Sequence, residues 1–271
     1  MVRLPAPAKW AVRLLVVAYV FFLVGWPVIT LAQHAFGAGL GNFRTAFADP
    51  DVTHALAVTA EISLWAVAIN TVFGVGVALL LVRYEFPGKR VLSALIDLPM
   101  SMSPVVIGLA LMLVYSGRYG WFGPTLEAHG IVVIFNAPGM VMATCFVALP
   151  LVVREVVPVL EEVGDDQEQA ARSLGANAVQ TLRRITLPAI KWAVVYGVVL
   201  SLARSIGEYG ALKIVSGNLT GRTQTAPLVV EQKYDNFAQN EAYAVAFILV
   251  AISVACILVV SLLRPQEEST S

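Results

Sequence analysis

Charge is what this sequence has least of. Only 13% of its 271 residues are Asp, Glu, Lys or Arg, where a soluble domain carries about 25%. The 18 basic and 18 acidic residues cancel, so no basic surface points to nucleic acid as a partner. Cysteine is equally scarce. Cys145 and Cys256 each lie inside an apolar run and read as small hydrophobes, with neither a disulfide framework nor ligand spacing around them. His34, His54 and His129 are scattered and form no metal pattern. No phosphate-binding Gly-x-x-x-x-Gly-Lys-Ser/Thr loop occurs: Gly88-Lys89 is followed by Arg90 and lacks the upstream Gly. Gly-x-Ser-x-Gly, His-Glu-x-x-His and clustered carboxylates are missing too. The chain reads as non-catalytic, with no cofactor of its own.

What is present is apolar length. The composition is 58% hydrophobic, with a mean hydropathy of +0.77. Six runs approach the roughly 17–25 residues that a membrane-crossing helix needs: 11–32, 55–82, 91–116, 137–153, 189–215 and 243–263. The first follows Arg3 and Lys9 as a signal peptide would, but it exceeds the ~7–15 residues of such an apolar core and more spans follow. It reads as an uncleaved helix. Asp97-Leu98-Pro99 and Ser101-Met102-Ser103-Pro104 predict a broken third span.

Lys and Arg accumulate on the cytoplasmic side of membrane proteins. Alternating the six spans puts Arg3, Lys9, Arg13, Arg83, Lys89, Arg90, Arg154, Arg172, Arg183, Arg184, Lys191 and Arg264 on one face, against Arg44, Arg118, Arg222 and Lys233. The expected protein is all-α, with both termini cytoplasmic. It has a cytoplasmic N-terminus (1–10), a six-helix body (11–263) and a cytoplasmic tail (264–271). The Gly- and aromatic-rich stretch Gly120-Trp121-Phe122-Gly123 falls outside, where rings anchor at the interface or a partner docks.

The longest cytoplasmic segment lies within 159–188 and predicts two short helices. Asp165 with Glu168 forms a capping box and Asn177 with Gln180 a second one. Gly175 supplies the stop between them. Val179, Leu182 and Ile185 recur at three-residue spacing, and Pro188 suits the first turn of the next span. Such a pair presents a compact apolar face to a groove on a soluble partner, or packs back on its own bundle. Periodicity admits both.

Three charges fall inside the fifth run. Arg204 and Glu208 stand four apart, on one helix face, and are expected to pair. Lys213 lies nearer the outer interface, where it can snorkel. Charges at this depth cost about 2.5–3.5 kcal/mol each on insertion scales and belong in the bundle interior or along a water-filled route. A structural ion pair and a weak attractor for an anion in transit both satisfy that requirement. Asp97 is expected to cap or contact a helix end.

The loop carries a resemblance. Permeases of bacterial ABC importers share Glu-Ala-Ala, three residues, Gly, nine residues, Ile, one residue, Leu-Pro. Here Gln169-Ala170-Ala171, Gly175, Ile185, Leu187 and Pro188 keep both spacings, with Gln169 departing from Glu and Glu168 just before it. Phe86-Pro87-Gly88-Lys89, Asp97-Leu98-Pro99, Ser103-Pro104-Val105-Val106, residues 152–158 and Tyr196-Gly197-Val198-Val199-Leu200 are similar to sulfate/thiosulfate permeases of the CysW type. The segment 204–211 resembles sulfate and molybdate permeases alike. This resemblance implies a type I ABC importer permease fold in a bacterial cytoplasmic membrane. It also implies a second permease subunit, two ATP-binding subunits that hold ATP and Mg, and an extracytoplasmic sulfate-binding protein. On it, Glu168, Gln169, Ala170, Ala171, Gly175, Ile185, Leu187 and Pro188 contact the ATPase, and Arg204, Glu208 and Lys213 line the route. Molybdate or tungstate is the alternative cargo, and an ion-coupled transporter the alternative mechanism.

Overall fold

The computed structural model describes residues 6–263. Arg3, Arg264 and the tail 264–271 lie outside the described residues. Among those described, regular structure is helical throughout, with no strand.

The first span joins α1 (Ala6–Val20) and α2 (Trp26–Ala35) through a π-helical turn, Phe21–Gly25. Pro27 explains the turn: it has no N–H, and its ring crowds the carbonyl four residues back. A short α3 (Gly41–Ala48) leads to α4 (Pro50–Arg83), whose N-cap Asp49 accepts the Asp51 N–H at 2.8 Å.

The third run is two helices, α5 (Lys89–Ser101) and α6 (Pro104–Tyr115), bent by 116°. Met102 and Ser103 are extended, because a residue before proline avoids the helical region. The break is sharper than a kink, and neither half alone reaches the roughly 30 Å of a bilayer core.

After α7 (Gly123–Ala128), α8 (Ala137–Val163) runs ten residues beyond the expected span. It carries Pro150 and Pro158 within it. The segment after α8 holds α9 (Asp166–Ser173) and α10 (Ala178–Thr181), and a second π turn, Leu182–Thr186, leads into α11 (Leu187–Ile206). Pro188 stands to this turn as Pro27 does to the first. The fifth run then departs from expectation: α11 stops at Ile206, and Lys213 belongs to a separate α12 (Gly210–Val215). The Gly-flanked sequence Gly207-Glu208-Tyr209-Gly210 is the breaking point. A half-length α13 (Ala226–Asp235) precedes α14 (Gln239–Leu263).

Three apolar clusters hold the bundle. One joins α4, α6, α8 and α12 around Ile62, Ile107, Met140 and Val215. A second joins α4, α5, α8 and α11 around Ala78, Ile96, Val152 and Ile190. The third, with Ala46, Val52, Val229 and Val245, ties α3, α4, α13 and α14. Asn70 adds polar glue, donating from α4 to the Cys145 carbonyl of α8 at 3.1 Å. Cys145 and Cys256 are only half-buried.

Much of the outer surface is apolar. Leu14, Phe22, Leu64, Phe73, Leu113 and Leu258 are all exposed. A surface of this kind is stable in lipid or against another apolar chain, not in water. Among the described residues, five helices are long and apolar enough to cross a membrane, and α5–α6 supplies a sixth if the bent pair is one span.

Candidate coupling and translocation site

Glu168 does not close a capping box. It is 7% exposed and turns into the protein, where Arg83 Nε donates to its two oxygens at 3.2 and 3.3 Å and Thr186 Oγ1 donates at 2.9 Å. Arg83 also donates to the carbonyls of Leu160 (3.0 Å) and Gly164 (2.6 Å). A buried carboxylate needs such partners, and they outweigh a local cap. Asp165 instead accepts from the Gln169 amide at 2.8 Å, which leaves Gln169 outside. The second box is as expected: Asn177 and Gln180 exchange two 2.9 Å hydrogen bonds. Gly175 takes φ +86° between the helices, a conformation that favours glycine.

The expected apolar stripe is split. Leu182 and Ile185 are half-buried, while Val179 and Leu174 are exposed, Leu174 to 90%. Ala170 and Pro188 are exposed, Ala171 is half-buried and Leu187 lies at the surface. In the segment 165–181 the exposed large apolar side chains are Leu174 and Val179.

Arg204 and Glu208 do pair, with Nη1 to Oε2 at 2.7 Å. They do so across the end of α11, not along one helix face as expected. Glu208 is 1% exposed, and its other oxygen accepts the Ala211 N–H at 2.9 Å. The Arg204 side chain stays 38% exposed. The carboxylate is locked in, while the arginine side chain is only partly buried.

Lys213 does not simply snorkel. It is bonded to Glu231 of α13 and to the Tyr209 hydroxyl (2.8 Å), and that hydroxyl donates to Glu231 at 2.6 Å. These hydrogen bonds, Lys213 first, hold the Glu231 carboxyl below its ordinary pKa. Lys233, also on α13, bridges Asp49 and Glu241 at the starts of α4 and α14. The Lys233 hydrogen bond holds the Asp49 carboxyl low. Burial works to lower the Lys233 pKa, but the bonds to its two carboxylates raise it.

Asp97 lies within α5, not at its end, and pairs with Arg154 of α8 at 2.9 Å, both half-exposed. Arg83, Arg154, Tyr209 and Glu231 were missed as site residues. Arg83 was visible only as a charge ending a span, because its partner lies 85 residues away.

Comparison with known proteins adds the following. A family model described as "Binding-protein-dependent transport system inner membrane component" matches residues 70–267. The sulfate transport system permease protein CysW of Synechococcus elongatus is 46% identical over 91% of this chain and 86% of its own length. CysW of Escherichia coli K12 is 40% identical over 96% and 89% respectively. Sulfate permease 2, chloroplastic, of Chlamydomonas reinhardtii is 47% identical over 90% and 67%. Among solved structures, a bacterial ABC transporter that imports the polysaccharide alginate superposes with a TM-score of 0.76 at 16% identity, covering 95% of this chain and 96% of that one. A second alginate transporter structure, in complex with a pentasaccharide-bound periplasmic protein, gives 0.75 at 18% identity over 93% and 92%. At these identities the likeness concerns the fold.

Proposed function

The chain belongs to the binding-protein-dependent transport system inner membrane component family, and on that premise we propose that it is one permease subunit of a sulfate and thiosulfate importer in the bacterial plasma membrane. Its partners on this reading are a second permease subunit, two ATP-binding subunits that hold ATP and Mg, and an extracytoplasmic sulfate-binding protein. Identity of 40–46% to permeases named for sulfate transport, over most of both chains, supports the cargo.

One observation carries the mechanism. In the loop after α8 one carboxylate, Glu168, is turned inward on Arg83, while the apolar Leu174 and Val179 are exposed together with Asp165, Asp166 and Arg172. A docking helix has this form. The ATPase engages Gln169, Ala170, Ala171 and these two apolar side chains. Its movement passes through Ile185, Leu187 and Pro188 into α11, which carries Arg204 at its far end. There the half-exposed guanidinium, already neutralised by Glu208, offsets part of a dianion's lost hydration without holding it. Lys213 lies on the same route, restrained by Glu231.

Six spans with both termini cytoplasmic complete the reading, with end segments 1–10 and 264–271 flanking the permease body and a coupling loop at 159–188. The Arg83–Glu168 bond supports it. Arg83 also donates to the Leu160 and Gly164 carbonyls, which keeps the C-terminal ends of α4 and α8 together, so the chain must cross once between Arg83 and the start of α8. Only the bent α5–α6 pair is available for that crossing.

The test is reconstitution with the partner subunits and measurement of ATP-dependent labelled-sulfate uptake. Excess unlabelled thiosulfate should suppress the signal, and equimolar molybdate should leave most of it. Molybdate uptake that excess sulfate does not touch reverses the assignment of cargo.

A further inference from the structure

The covalent route from the cytoplasmic loop to α11 has a soft point. Between α10 and α11 the backbone passes through the π turn Leu182–Thr186, where Pro188 weakens the i to i−4 ladder. A push on α9 and α10 along the main chain alone would be partly absorbed there. The side chains around Glu168 bypass it.

We infer that Arg83 and Glu168 form a lateral coupling link, through which movement of the loop is passed to α4 as well as to α11. Glu168 stands on α9 and is held from two directions. Arg83, the last residue of α4, reaches it from one side, and Thr186, the last residue of the π turn, from the other. Arg83 also grips the Leu160 and Gly164 carbonyls at the end of α8. Four elements are thereby fixed around one carboxylate whose side chain is 9% exposed, against an arginine side chain at 12%. Charge-assisted bonds this dry are strong and geometrically exacting, so these elements move as one body. Arg83 touches neither cargo nor nucleotide. It is a positioning residue, and its position inside the protein separates the role of Glu168 from direct contact with an ATPase.

The inference rests on the importer reading, and the assay keeps the two apart. In the reconstituted whole complex, ATP hydrolysed and sulfate imported are measured together. A wild-type complex that imports no sulfate on ATP addition overturns the importer reading itself. Given an active wild type, Arg83→Met should raise ATP spent per sulfate by about tenfold, the scale of one lost charge-assisted hydrogen bond. Thr186→Val, which removes one hydroxyl and keeps the bulk, should raise it by about threefold. The exchange R83E/E168R should recover part of the loss. Complexes of Thr186→Val and Arg83→Met that assemble and keep the wild-type ratio overturn the link. If Arg83→Met fails to assemble, Thr186→Val alone decides: an unchanged ratio overturns the proposal and a raised one supports it.

Discussion

Glu208 and Arg204 are unequal partners, and the inequality determines which substitutions are informative. The carboxylate is fully buried and the guanidinium one-third exposed. Arg204→Ala would therefore strand a buried charge, a defect that costs about 3–5 kcal/mol, and lost uptake would say nothing about the route. The double variant R204Q/E208Q removes both charges while keeping bulk and hydrogen-bonding groups. It should assemble with its partners and unfold near the wild-type temperature, while sulfate uptake falls by about tenfold or more, ~1.4 kcal/mol in the barrier. An assembled double variant with wild-type uptake would confine the pair to holding α11 and α12. The pairing itself was legible from four-residue spacing. The break between the two residues was not, because a charged pair at i and i+4 is as good a signal for an intact helix as for one ended by Gly207.

At the scale of elements, α4, α8 and α11 meet around Val152, which is fully buried. A Cβ on Gly74 would lie 2.8 Å from Val152 Cγ1, and one on Gly197 would lie 2.9 Å from Val152 Cα. Membrane helices depend on such close approach, since lipid offers no hydrophobic drive to associate. The two contacts differ in kind, one with a side chain and one with backbone. Gly74→Ala and Gly197→Ala should each destabilise by about 1–3 kcal/mol through overpacking. Adding Val152→Gly, which removes both the Cγ1 and the Cβ that a Gly74 Cβ would meet at 2.8 and 2.9 Å, should relieve the first by roughly 1 kcal/mol and leave the second unrelieved, as read from unfolding curves in micelles. Equal rescue of both, or of neither, would contradict this packing. None of it was legible from one sequence, where a glycine in an apolar run looks the same facing lipid or facing Val152. Apolar length did locate the helices. It misplaced their ends wherever polar residues continue a helix beyond its apolar run, as at Arg154–Val163 and from Ala178 onward.

The molecule as a whole is ordered by charge and parity. Arg83 precedes the bent pair and Lys89 and Arg90 open it, and Arg172, Arg183 and Arg184 follow α8. If α5–α6 dipped in and returned on the same side, these two groups would face opposite sides, against the accumulation of Lys and Arg on the cytoplasmic face. It would also part Arg83 from Glu168. A bent crossing satisfies both demands, and it places exposed Trp121 outside with Ala38 and Asn236. With Cys145 and Cys256 replaced by serine, single cysteines at 38, 121 and 236 should react with an impermeant maleimide added to intact cells. Cysteines at Arg90 and Asp166 should react only after the membrane is opened. Labelling of position 121 only after permeabilisation would make α5–α6 a re-entrant hairpin and leave five spans. Sequence alone raised this question, through Pro99 and Pro104, without resolving it. Parity needs contacts between distant segments, such as Arg83 with Leu160 and Asn70 with Cys145, and a sequence does not display them.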